Sequence, residues 1–197
     1  MRRIDEFWIE FNSVTEEETP KTSPALSFIY DMADSVKGAI VVVFLLFSFV
    51  FRAVGVDGDS MVPTLADGDW LAVASVTTEI ERGDIVVINQ PWERHVPIVK
   101  RVIAVGGDTV YIDFDRNEVY VNGEKLNEPY ISEPTRVSYD VSFPLQVDEG
   151  KLFVMGDNRN VSLDSRSSKI GMIDERYVLG KAVVRFYPTG EWKIYEE

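Results

Sequence analysis

The 197 residues carry 33 acidic against 20 basic side chains, a formal net charge of −13 at pH 7, with one histidine and no cysteine. The lack of cysteine excludes disulfides, a thiolate nucleophile and any zinc-cysteine site, and the carboxylate surplus argues against a nucleic-acid partner, which is normally bound through clustered Lys and Arg. At 45% hydrophobic and 12% aromatic residues, the chain has the composition of a folded protein rather than a disordered one.

Residues 1–35 are polar and acidic, and Glu16-Glu17-Glu18-Thr19-Pro20 and Thr22-Ser23-Pro24 are expected to break any helical pattern, leaving a polar tail. From Gly38 to Val56 the chain reads GAIVVVFLLFSFVFRAVGV, in which Arg52 is the one charge. So short an apolar run also suits a buried core helix, yet a surface helix shows an apolar stripe and this one is apolar all round. A cleaved leader ending near Ala53-Val54-Gly55 would need a basic flank, whereas the preceding segment is acidic. The expectation is therefore an uncleaved transmembrane anchor over 36–56. Lys21 and Lys37 precede the apolar run and only Arg52 stands at its far end, which puts the N-terminus in the cytoplasm and residues 57–197 outside the membrane.

Beyond the anchor, short runs rich in Val, Ile, Tyr and Phe alternate with turn residues and predict strands at Trp70–Val76, Asp84–Ile88, Pro97–Val105, Thr109–Phe114, Glu118–Asn122, Lys151–Met155 and Lys181–Tyr187. Asp115-Arg116-Asn117 turns one strand into the next, and Asn122-Gly123 supplies the positive-φ residues of a second turn. The proline-bearing stretch from Asn127 to Val147 shows little periodicity, and residues 109–150 are expected to form an inserted hairpin and loop lobe. The predicted fold class is mostly β: an N-terminal transmembrane helix followed by one antiparallel β domain.

Three blocks carry the chemistry. In Gly58-Asp59-Ser60-Met61-Val62-Pro63-Thr64-Leu65 a bend exposes a serine, which by itself is usually no more than a turn residue. A serine hydroxyl needs a neighbouring base. His95, in Pro91-Trp92-Glu93-Arg94-His95-Val96-Pro97, reads as a loop histidine. Lys100 interrupts the apolar run Ile98-Val99-Lys100-Arg101-Val102-Ile103, and alternation along a strand turns one of its two charges inward. An ordinary lysine is neutral only about once in a thousand at pH 7.4; burial between Ile98, Val99, Val102 and Ile103 would lower its pKa and make it a base. The third block, Gly156-Asp157-Asn158-Arg159-Asn160-Val161-Ser162-Leu163-Asp164-Ser165-Arg166, lacks the ligand pattern of a calcium loop. It reads instead as a scaffold in which Ser162 bonds the lysine amine and Asp164 pairs with Arg166.

These blocks, with Arg82-Gly83-Asp84-Ile85-Val86-Val87 and Gly107-Asp108, resemble in residues and order the bacterial type I signal peptidases, and the single span resembles their one-anchor form in Gram-positive bacteria. The resemblance implies Ser60 as nucleophile and, through its backbone N–H, oxyanion donor; Lys100 as general base; Ser162 orienting the lysine; and Asp164 with Arg166 buttressing the site. It implies a serine endopeptidase acting through an acyl-enzyme on exported preproteins with small residues at Ala-x-Ala-like sites, resting on the outer membrane face, with no cofactor and no metal. Met61, Ile98, Val99 and Val102 are the candidate walls of the substrate pocket. Two positions depart from the family pattern: Gly58 stands where some members carry an oxyanion-binding serine, and Ala104-Val105-Gly106-Gly107-Asp108 is expected to make a looser turn. Two other readings are an inactive membrane-tethered β domain that binds exported peptides, and a self-cleaving repressor-type protease, which would need a DNA-binding domain in place of the span.

Overall fold

The computed structural model describes residues 23–75, 79–89, 96–188 and 193–194, so His95 and residues 1–22 of the expected tail lie outside the described residues. The chain divides between Leu46 and Phe47 into two compact units. The first is dominated by helix α1 (Pro24–Val50). Ser23-Pro24 starts this helix instead of breaking it: Ser23 Oγ accepts from Leu26 N–H at 3.3 Å, and a proline at the first helical position loses no hydrogen bond that the helix needs.

The helix differs at both ends from the expected 36–56 span. The helix begins at Pro24, and the chain beyond Val50 leaves it for strand β1 (Phe51–Gly55), which pairs antiparallel over five positions with β2 (Trp70–Ala74). Among the described residues no helix is long and apolar enough to cross a membrane.

The second unit is mostly β and antiparallel. Its remaining strands are β3 (Ile85–Ile88), β4 (Ile98–Ala104), β5 (Thr109–Asp113), β6 (Glu118–Val121), β7 (Glu124–Lys125), β8 (Leu145–Gln146), β9 (Lys151–Met155), β10 (Ile173–Asp174), β11 (Val178–Tyr187) and β12 (Lys193–Ile194). The larger sheet runs β1-β2-β11-β3-β4-β9-β10, with β12 on β11, and the smaller runs β7-β6-β5-β8. The central strands β3, β4 and β9 are apolar almost without alternation because both their faces are covered. Val86, Ile88, Val102, Leu152, Val154 and Ile173 form one core, while Leu65, Leu71, Val73, Ile85, Val87 and Val99 form another. Strands β5 and β6 alternate buried with exposed or half-buried residues, as a sheet with one wet face does. Their inner side chains Val110, Ile112, Val119 and Val121 pack with Ile103, Phe153 and Met155 of the larger sheet.

The turns follow their sequence. Asp113 Oδ1 accepts from the backbone N–H of Asp115 and Arg116, both at 3.0 Å, and Asn122 and Gly123 take φ of +54° and +82°. The Val105–Asp108 turn is tight, not loose. Asp108 N–H donates to Val105 O, and the Asp108 carboxylate accepts from Val105 N–H at 2.9 Å, from Asn122 Nδ2 at 3.0 Å and from Arg82 Nε at 2.7 Å.

Candidate active site

Ser60 lies in the loop from β1 to β2. Gly58 bends the chain at φ +84°, where a side chain would be strained, and its N–H donates to Asp67 Oδ1. The loop is closed at its base by Val56 N–H to Asp69 O and Gly68 N–H to Val56 O. Its apolar residues Met61 and Leu65 turn into the core, both essentially inaccessible, so the serine sits on a loop whose underside is fixed by packing.

Lys100 reaches that serine from β4, where it stands opposite Val86 of β3. Its Nζ lies 2.8 Å from Ser60 Oγ and donates to Val99 O at 3.0 Å. The side chain is 4% exposed. Burial lowers its pKa from 10.5 to about 8, against the opposing pull of the Asp164 and Asp157 carboxylates. Arg101 is buried as well, so the expectation that only one of the two charges faces inward fails; β4 lies between β3 and β9 with both faces covered. Each charge needed its own partner. Arg101 binds Asp157 through Nε and Nη2, both at 2.8 Å, donates to Gly83 O at 2.7 Å, and lies 4.0 Å from the centre of the Tyr130 ring.

The third component follows β9. Gly156 approaches so closely that a Cβ there would overlap Ser162 Oγ and Ser60 O. Asp157 is fully buried and accepts also from Thr64 Oγ1, which ties this loop to the Ser60 loop. Asn158 N–H donates to Ser60 O, and its Nδ2 to Asp59 O, both at 3.0 Å. Asp164 and Arg166, both fully buried, form a two-point ion pair at 2.8 and 2.9 Å. Arg166 then donates to Val137 O, Arg159 O and Ser162 O, while Asp164 accepts from Gly156 N–H at 3.0 Å. Ser162 is buried beside the same Gly156 position as Ser60 O, but its Oγ hydrogen-bonds no group among the described residues, Lys100 included.

The pocket candidates separate. Met61 and Val99 share one core with Leu65 and Leu71, whereas Val102 and the partly buried Ile98 pack with Val86, Ile88 and Val154 in another. A cavity of about 620 Å³ with Glu79, Glu149, Glu175 and Lys181 in its wall includes neither Ser60 nor Lys100. The Arg101–Asp157 pair and the Arg159–Glu128 ion pair at 2.6 Å escaped the sequence reading. Both of their arginines and Asp157 stand in blocks singled out above, but no local spacing names their partners.

Residues 29–187 match the family described as signal peptidase, peptidase S26. The chain belongs to this family. It is thus a peptidase with a signal-peptidase-like fold. It is 38% identical to signal peptidase I of Bacillus licheniformis, covering 90% of this chain and 97% of that one. It is 37% identical to signal peptidase I T of Bacillus subtilis, covering 91% and 98%, and 36% identical to signal peptidase IB of Staphylococcus aureus, covering 81% and 90%. A solved signal peptidase I from Enterococcus faecalis is 30% identical, with 55% of this chain and all of that one aligned and a TM-score of 0.43.

Proposed function

We propose that this protein is a membrane-anchored serine endopeptidase that removes signal peptides from exported preproteins, cutting after small residues at Ala-x-Ala-like sites. The observation that carries this reading is the 2.8 Å separation of Ser60 Oγ from the amine of a buried lysine. With its pKa at about 8, roughly a fifth of Lys100 is neutral at pH 7.4, some two hundred times more than for a solvated lysine.

Neutral Lys100 takes the Ser60 hydroxyl proton as Oγ bonds to the scissile carbonyl carbon, and the carbonyl electron pair moves to its oxygen. Collapse of this oxyanion breaks the C–N bond, and the lysine gives its proton to the departing amine. A water deprotonated by the same lysine then attacks the acyl-enzyme and frees Ser60. No cofactor enters. The family resemblance further gives Ser162 the role of orienting Lys100 during this cycle; its buried hydroxyl lies against the same Gly156 position as Ser60 O, and in this structure it makes no bond to Lys100. Asp164 and Arg166 hold the loop that carries it.

Helix α1 is the proposed anchor, with the N-terminus cytoplasmic and the β unit outside. Its side chains from Ile40 to Leu45 are all exposed, as lipid-facing ones are. From Gly38 to Val50 the helix rises only about 20 Å, against a hydrocarbon core of about 30 Å. The span must therefore take in the turn of Asp34 and Lys37, whose ion pair at 3.0 Å eases their placement near the interface. The partners are then preproteins and the bilayer, and the charge of −13 disfavours nucleic acid.

The test is cleavage of a detergent-solubilised preprotein with an Ala-x-Ala site between pH 6 and 10. The rate should rise about tenfold per pH unit to a plateau above pH 8, and Lys100→Ala or Ser60→Ala should abolish it. Full cleavage by either variant would end this reading; no cleavage by the parent protein would favour a peptide-binding module.

A further inference from the structure

We propose that Asn158 is a positioning residue for the oxyanion, its side-chain amide holding the Asp59–Ser60 peptide so that the Ser60 N–H faces the carbonyl under attack. The inference rests on the serine-peptidase reading above and deepens it. In a planar trans peptide the C=O and N–H point in opposite directions, so whatever fixes Asp59 O also aims the Ser60 N–H. Asp59 O accepts from Asn158 Nδ2 at 3.0 Å and from Val62 N–H at 3.2 Å. The second bond belongs to the serine loop itself; the first comes from a separate loop 99 positions away.

Asn158 is well placed to impose this order. Its own N–H donates to Ser60 O at 3.0 Å, so one residue grips the peptide on each side of the nucleophile. Its carbonyl accepts from Val161 N–H at 3.1 Å and Ser162 N–H at 2.9 Å, which fixes it in turn. Among the described residues no group accepts from the Ser60 N–H, leaving that donor to a substrate. The need is sharper here because Gly58 brings no hydroxyl to the oxyanion, and at φ +84° it adds no stiffness to the bend. A turned peptide would lose the donor without disturbing the contact between Ser60 and Lys100.

The experiment compares full-length parent, Asn158→Ala and Asn158→Asp, the latter nearly isosteric but with an acceptor facing Asp59 O. Its readouts are kcat and KM on an Ala-x-Ala peptide, the affinity of a peptide aldehyde that forms a tetrahedral adduct with serine, the pH midpoint and Tm. An oxyanion donor is worth roughly a hundredfold to a thousandfold in kcat. A donor misaimed rather than deleted should lose about tenfold to a hundredfold. Aldehyde affinity should fall by a similar factor, with KM within about twofold and Tm unmoved in both variants, and with the pH midpoint unmoved in Asn158→Ala, which brings no charge near Lys100. Unchanged kcat and aldehyde affinity would overturn the proposal, as would a loss that tracks Tm or, in Asn158→Ala, one that shifts the pH midpoint, since either shift would assign Asn158 to the fold or to the lysine. Failure of the parent to cleave, or full cleavage by Ser60→Ala, would remove the serine-peptidase reading itself.

Discussion

As the proposed base, Lys100 carries opposite demands of chemistry and stability. Its folded pKa of about 8 lies below the unfolded 10.5, so between those values the unfolded chain holds the extra proton and stability rises with pH. Below pH 8 the full penalty applies. Two and a half pKa units correspond to about 3 kcal/mol, undiluted by solvent because the side chain is 4% exposed. Lys100→Met, which keeps the length and discards the amine, should therefore be inactive yet more stable than the parent by up to about 3 kcal/mol at pH 7, with the gain nearly gone by pH 10.5. Thermal melts of both proteins across that range check it, and a pH-independent difference would contradict the assigned burial penalty. Gly156 tests the contact between Ser60 and Lys100 from its other side. A methyl there would overlap the backbone oxygen of Ser60 as well as Ser162 Oγ, so something must move. Because a displacement of about 1 Å can cost a hundredfold, Gly156→Ala should lower kcat at least that much, measured by peptide hydrolysis, while the sheets remain folded by circular dichroism.

Among the elements, the strands were legible where residue type and spacing agreed: β3, β4, β5, β6 and β9 lie within one or two residues of their predicted bounds. β1 was not, because Phe51–Gly55 continues an apolar run and only its pairing with β2 makes it a strand. The same holds in the site. A serine on a bend and a lysine inside an apolar strand stand out in one dimension, but the union of Arg101 with Asp157 spans 56 positions and exists only after β4 and the loop beyond β9 meet. That union yields a prediction at this scale. Asp157→Ala takes the carboxylate from a mostly buried guanidinium and should cost about 3–5 kcal/mol, whereas Arg101→Met combined with Asp157→Ala should recover most of it. Since the Asp157 carboxylate raises the Lys100 pKa, Asp157→Asn should also shift the rising limb of the pH–rate profile to lower pH. Denaturant melts and rate profiles report the two effects separately.

For the whole molecule, helix α1, the proposed anchor, ends at Val50 and β1 begins at Phe51, and this decides where the chain can be cut. Backbone pairing governs tolerance to truncation. A protein beginning at Phe51 keeps all five β1–β2 partners and the Val56 bonds that close the Ser60 loop. One beginning at Asp57 loses both, and it exposes the edge of β2 beside the buried Leu71 and Val73. With each lost hydrogen bond worth about 0.5–1.5 kcal/mol, the shorter protein should be less stable by about 2–5 kcal/mol and prone to associate through the open edge. The longer one should melt as the parent does, cleave a soluble Ala-x-Ala peptide through Ser60, and no longer sediment with phospholipid vesicles. Vesicle sedimentation undiminished after removal of α1 would take the anchor away from that helix; loss of folding in the protein that begins at Phe51 would show that the β unit depends on more of the chain than its own sheets.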